Sequence, residues 1–139
     1  SLGQVAGASD GWLVSDYWNP AGGEKTHCAL NHQLAEMAVL YNLETASGDK
    51  RYGELADKML LGIKRSRDLW IMKNHNLVYA YKPDGSATGV DYPALTYNDL
   101  FKLQAILAQR NGMRDPDLQT LMDAKKAWMD QNGVAEYER

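Results

Sequence analysis

A helical repeat of apolar residues runs from Thr26 to Thr45 and constrains the fold more than any other stretch. Apolar side chains recur there every three or four residues, which predicts a buried α-helix opened by Thr26 as its N-cap. One stripe comprises Leu30, Leu34, Met37, Ala38 and Tyr41. A second stripe comprises Ala35, Val39 and Leu43. Because apolar residues cover most of the circumference, we expect neighbours to pack against this helix on several sides.

Three more helices are predicted from the same spacing and from residues that begin or end helices. A short Ser-Gly-Asp turn ends the first helix and caps a second at about residues 50–65. A third helix covers about residues 95–109, and a fourth begins at the Asp115-Pro116 pair. The apolar side of the fourth comprises Leu118, Leu121, Met122, Lys125, Trp128 and Met129.

The helical period is lost between the second and third helices, over residues 67–91. Leu77, Tyr79 and Tyr81 alternate with the smaller Val78 and Ala80 and precede a Lys-Pro-Asp-Gly turn, which predicts a short β-hairpin. The fold class is therefore mainly α. We expect two αα-hairpins, as in an incomplete α/α toroid, with this β-hairpin inserted between them, and a plain four-helix bundle is the alternative.

The length of the chain predicts one helical domain over residues 1–139, with an irregular lead-in over residues 1–23. The chain begins with Ser rather than Met, so we expect a fragment of a larger protein. Apolar helix faces that the rest of that protein would cover then favour self-association.

Charge and composition exclude several classes of function. The net charge of −3 does not favour nucleic acid or an anionic membrane, and no apolar stretch is long enough for membrane insertion. No metal site is expected, because His27 and His32 do not share a helix face and Cys28 is the single cysteine. No cofactor motif is present. The chain has eight tyrosines and one phenylalanine, which favours a partly solvent-exposed binding cleft, with carbohydrate as one candidate ligand. The alternative is that these tyrosine rings pack in the protein with only their hydroxyls exposed.

Several short motifs occur in the order Leu30-Asn31, Leu40-Tyr41-Asn42-Leu43, Val78-Tyr79, Asp91-Tyr92-Pro93 and Asn98-Asp99-Leu100. They resemble the C-terminal helical domain of the D-glucuronyl C5-epimerases, which are carbohydrate-active enzymes with an incomplete (α/α) toroid. The resemblance covers roughly residues 11–110. Two histidines of that family are replaced here, by Pro93 and Thr96.

The resemblance implies proton abstraction from a carbon next to a carboxylate, followed by return of a proton to the other face. Tyr79 and Tyr92 are the implied catalytic residues, provided that a nearby cation or dipole lowers their pKa. We expect His27, Asn31 and Asp91 to bind substrate on the same rim. The starts of the first and third helices meet at that rim and supply positive potential for a uronate.

The expected function is that of a carbohydrate-active domain acting on a uronic-acid polysaccharide or oligosaccharide. A non-catalytic helical module that binds glycan or protein is the alternative. The candidate carboxylates for acid and base chemistry are Asp16, Glu36, Asp91 and Asp99, although sequence alone cannot place two of them across a sugar bond. The compartment is left open, with an extracellular or cell-surface location as the expectation.

Overall fold

The computed structural model describes residues 2–3, 11–17, 20–22 and 26–135. Its described part is mainly helical with small antiparallel sheets, which confirms the mainly α class. The four α-helices are α1 (Leu30–Ser47), α2 (Lys50–Ser66), α3 (Leu95–Asn111) and α4 (Pro116–Gln131), and a 3-10 turn (Arg67–Trp70) follows α2.

The helix ends follow the local signals in the sequence. Asp49 accepts a hydrogen bond from the backbone N–H of Arg51 at the start of α2. Asp115 accepts two, from Asp117 and Leu118, at the start of α4. Gly48 ends α1 with a φ of 74°, a left-handed conformation that glycine adopts at little cost.

Two small antiparallel sheets accompany the helices. The strands are β1 (Leu2–Gly3), β2 (Leu13–Val14), β3 (Cys28–Ala29), β4 (Val78–Tyr81) and β5 (Ala87–Val90). β1 pairs with β2, and the second sheet has the order β3-β4-β5. The β4–β5 pair lies where the sequence predicts β-structure, and β3 is an addition that joins the start of α1 to it.

The predicted N-cap of α1 at Thr26 is wrong by three residues, because Ala29 is the residue that precedes the helix. Cys28 pairs with Tyr81 and Ala29 pairs with Ala80, so these positions are strand and not helix. The Thr26 hydroxyl accepts a hydrogen bond from the backbone N–H of Tyr17 instead of capping the helix. A pairing partner about fifty residues away thus overrides the local helical pattern.

The first stripe of α1 forms the centre of the core, where Leu30, Leu34 and Met37 are fully buried against α2 and α3. The second stripe behaves differently from the prediction. Val39 is 57 % exposed and Leu43 is 41 % exposed. The expectation that α1 is packed on several sides is therefore wrong for this face, because no described segment covers it.

Residues 11–17 lie across the helices as an extended segment. Leu13 is buried, and the buried Gln33 side chain bonds both backbone groups of Val14 at 2.7 Å. The predicted irregular lead-in is thus partly a packed segment. Residues 4–10, together with Trp18 and Asn19 at the end of this segment, lie outside the described residues.

Candidate functional site

Four rings from separate parts of the chain follow one another across the surface. We call Tyr17, His27, Tyr79 and Tyr92 the ring row. Its successive ring centroids are 6.2, 6.1 and 5.8 Å apart. Tyr17 is 68 % exposed and Tyr92 is 45 % exposed. The row therefore presents apolar ring surface together with polar ring atoms at one place.

The small sheet brings the ring row together. His27 directly precedes β3, and Tyr79 stands on β4, which pairs with β3. Gly89 on β5 leaves space for the Tyr79 ring, since a Cβ there would lie 2.5 Å from Cδ1 of that ring. Tyr92 follows β5 and precedes α3, so the starts of α1 and α3 share one rim, as the sequence predicts.

A buried carboxylate holds two imidazoles beside the ring row. Oδ2 of Asp16 lies 3.0 Å from Nε2 of His27 and 2.8 Å from Nδ1 of His32. Oδ1 of Asp16 accepts a hydrogen bond from the backbone N–H of Ala29 at 2.9 Å. The Asp16 side chain is 1 % exposed, whereas the two imidazoles are 32 % and 42 % exposed. Asp16 therefore fixes the orientation of both rings, and the second nitrogen of each ring is turned away from it.

The electrostatics of the row do not favour tyrosinate. Burial raises the pKa of Tyr79 above its ordinary value, and the neighbouring Tyr92, Asp16 and Tyr17 raise it further. The lowered pKa that a tyrosine base requires is thus contradicted for Tyr79. Its phenol stays protonated at neutral pH and is suited to donate a proton or a hydrogen bond.

Two further carboxylates lie close to this rim. Burial raises the pKa of Asp99, with the charge of Asp91 adding to the effect and Lys102 and His32 opposing it. Burial also raises the pKa of Glu36. His32 stands in the first turn of α1 and Asp99 stands near the start of α3.

Two amide atoms in those first turns have no hydrogen-bond partner among the described residues. They are Oδ1 of Asn31 and Nδ2 of Asn98. Asn31 is 6 % exposed and Asn98 is 7 % exposed, so solvent reaches these side chains little. One atom is an acceptor and the other a donor, and buried polar groups of this kind normally have a partner.

Asp91 is expected from the sequence to bind substrate on the rim, but its side chain is buried. Its side chain is 1 % exposed, its Oδ2 accepts a hydrogen bond from Nζ of Lys125 at 2.6 Å, and its Oδ1 accepts one from the Thr96 hydroxyl at 2.6 Å. Both carboxylate oxygens are occupied inside the protein. The prediction that Asp91 contacts a substrate is therefore corrected to a structural role beneath Tyr92.

Lys125 organises this interior. Its Nζ also donates to Oδ1 of Asn76 at 2.7 Å and to the backbone carbonyl of Tyr92 at 2.8 Å. Burial lowers the pKa of Lys125, and the bond to Asp91 opposes that shift. The carbonyl contact ties α4 to the residue that ends the ring row.

The structure thus brings together His27, Tyr79 and Tyr92 of the predicted residues, places Asn31 in the adjoining first turn, and removes Asp91 to the interior. Sequence reasoning did not identify Tyr17, and it did not pair Asp16 with two histidines. Their separations along the chain follow no motif, so no local signal identifies them. The position of Lys125 can be interpreted from the sequence, because a lysine on the apolar side of a helix requires a buried polar partner.

Within the described ranges, no group of three His, Cys, Asp or Glu side chains is arranged to hold a metal ion. Among the helices described, none combines the length and apolarity needed to cross a bilayer. Comparison with protein-family models, curated proteins and solved structures gives no match.

Proposed function

We propose that this chain is a carbohydrate-binding helical domain whose contact surface is the ring row. The observation that carries the proposal is the succession of four partly exposed rings on one rim. Tyrosine and histidine rings offer an apolar face with a polar tip, which matches a sugar that has C–H faces and hydroxyl edges. Part of an α/α toroid is the architecture that we propose, on the strength of the two helix pairs and the uncovered face of α1.

The two amide atoms without partners support a sugar hydroxyl as the ligand group. A hydroxyl both donates and accepts, so a sugar hydroxyl complements either the Oδ1 atom of Asn31 or the Nδ2 atom of Asn98. Both atoms are almost inaccessible, so each side chain must turn outward to meet the ligand. Leaving such buried atoms without partners costs about 1–3 kcal/mol each, and a ligand that pairs with them recovers that cost. Asn31 thus keeps its proposed role in substrate binding.

A second candidate function is proton transfer on a uronate, and the orientation of the imidazoles by Asp16 favours it. A buried carboxylate that holds an imidazole in one tautomer is a recurrent way to prepare a general base. The free nitrogen of His27 or His32 would take the proton from the carbon next to the sugar carboxylate. The protonated phenol of Tyr79 or Tyr92 would return one to the opposite face.

The binding proposal is tested by titrating neutral and uronic-acid oligosaccharides into the protein and following the ring signals by NMR. We expect shifts at Tyr17, His27 and Tyr92, and about tenfold weaker binding in Tyr92→Ala, since a stacked ring contributes roughly 1 kcal/mol or more. Tyr52→Ala on α2 is the matched control and should bind like the wild type. If no oligosaccharide shifts the ring row, the proposal fails.

The proton-transfer candidate is tested in D2O. We expect wild-type protein to introduce deuterium at the carbon next to the carboxylate of a uronate oligosaccharide. His27→Gln and His32→Gln should lower the rate of exchange without abolishing binding. Binding without any exchange in the wild-type protein would leave the non-catalytic module as the function.

A further inference from the structure

A second surface, separate from the ring row, is an open groove with a volume of about 430 Å³. We call it the α1–α2 groove. This volume lies in the range of about 300–1,000 Å³ that small-molecule sites occupy. Its apolar walls include Trp12, Val14, Val39, Leu40, Leu55 and Met59.

The wall formed by residues 11–14 is firmly attached, so the groove exists before any ligand binds. The backbone N–H of Trp12 donates to the carbonyl of Lys58 on α2 at 3.0 Å. A Cβ at Gly11 would collide with the backbone of Gly62, and a Cβ at Gly62 would collide with the backbone of Trp12. Gln33 holds Val14 through two hydrogen bonds of 2.7 Å. A preformed site avoids the ordering cost that weakens binding.

Glu36 is the charged residue in the lining of this groove. No hydrogen bond or ion pair of Glu36 is found with the described residues, and the charges that act on it are those of Asp16, which raises its pKa, and His32, which lowers it. Nζ of Lys58, on α2, lies over the Trp12 ring, 4.3 Å from its centroid. Burial raises the pKa of Glu36, which indicates that the surroundings solvate its carboxylate poorly. A carboxylate at the edge of an apolar groove is complemented by a ligand cation and repels anionic ligands such as fatty acids.

We propose that the α1–α2 groove binds a small molecule with an apolar body and a protonated amine, with the amine on Glu36. The apolar body lies between α1 and α2 against Trp12. This ligand class differs from the glycan that is proposed for the ring row.

The test compares 3-phenylpropylamine with 3-phenylpropan-1-ol, which has a similar shape without the charge. In calorimetry and NMR titration we expect the amine to shift signals of Trp12 and Val39. We expect the alcohol to bind about tenfold more weakly, as for the loss of a charge-assisted hydrogen bond. Glu36→Gln should reduce the amine to the affinity of the alcohol and leave the alcohol unchanged. Glu54→Gln, exposed on α2, is the matched control and should change neither.

Val39→Trp should weaken both ligands by filling the groove. Equal binding of the amine by wild type and Glu36→Gln would overturn the proposal, and so would the absence of any shift at Trp12 and Val39.

Sedimentation over a range of concentrations tests a different occupant of the groove. If the protein dimerises and Val39 is then protected from the ligands, the groove binds a second copy of the chain, and the proposal of an amine ligand is overturned.

Discussion

Nζ of Lys125 lies 2.6 Å from Oδ2 of Asp91, and neither side chain is more than 1 % exposed. The pair joins the fourth helix to the loop that carries Tyr92. Asn76, the Tyr92 carbonyl and Thr96 provide the remaining hydrogen bonds. An ion pair of this kind, buried and fully hydrogen-bonded, costs most when only one partner is removed.

Lys125→Met should therefore lower the free energy of unfolding by about 3–5 kcal/mol, because the Asp91 carboxylate stays buried without its cation. Urea unfolding measures the change. Lys126→Met is the matched control: the Lys126 side chain is 41 % exposed, so its loss should cost less than about 1 kcal/mol. Adding Asp91→Leu to Lys125→Met should recover part of the loss. Equal midpoints for the two lysine variants would contradict the role given to the pair.

Leu34→Ala should cost about 2–5 kcal/mol of stability, because Leu34 is fully buried at the centre of the core. Val39→Ala on the same helix should cost under about 0.5 kcal/mol, since Val39 is 57 % exposed. Denaturant unfolding of both variants tests whether α1 is buried on one face only. A large loss for Val39→Ala would mean that this face is covered in solution.

Glu44 and Glu36 should affect the pH dependence of stability in opposite directions. The hydrogen bond from Arg110 lowers the pKa of Glu44, so its contribution is present above about 4.5 and is lost as the pH falls through the folded value. Burial raises the pKa of Glu36, so its contribution is present below about 4.5 and is lost as the pH rises through the folded value. Urea midpoints between pH 3 and 7 provide the measurement.

Relative to wild type, Glu44→Gln should therefore become less stable as the pH rises across that range. Glu36→Gln should become more stable over the same range. Slopes of the same sign for the two variants would refute the assigned directions.

Gly62→Ala should destabilise the protein, although alanine favours helix over glycine by roughly 1 kcal/mol. A Cβ at position 62 would collide with the backbone of Trp12, which cannot rotate away as a side chain would. NMR should show displaced backbone signals at Leu13 and Val14. Glu54→Ala, an exposed change on α2, should leave those signals in place. A more stable Gly62→Ala with unmoved signals would show that residues 11–14 are loosely attached.

The local parts of the fold are predictable from the sequence. The cap of α4 by Asp115, the cap of α2 by Asp49 and the glycine that ends α1 each depend on residues within a few positions. The apolar period identifies all four described helices for the same reason, because its evidence lies within one helix.

The sequence-based predictions that are wrong concern features that depend on residues distant in the chain. Thr26 has a sound local pattern for a cap, yet the pairing of Cys28 with Tyr81 makes its neighbours a strand. Asp91 has the sequence context of a site residue, yet Lys125 withdraws it into the interior. In the candidate site, the rim shared by His27, Tyr79 and Tyr92 follows from helix order, whereas the contact of Asp16 with two imidazoles follows from tertiary packing alone.

The three donors of Lys125 have a consequence for the order of events during synthesis. α4 leaves the ribosome after the three helices that precede it, so a nascent chain that ends near residue 115 already contains every residue of the ring row. Until Lys125 emerges, however, the Asp91 carboxylate has no cation and the Tyr92 carbonyl has no donor. The end of the row at Tyr92 is therefore fixed in position only after α4 has docked, which makes this surface among the last features of the domain to mature.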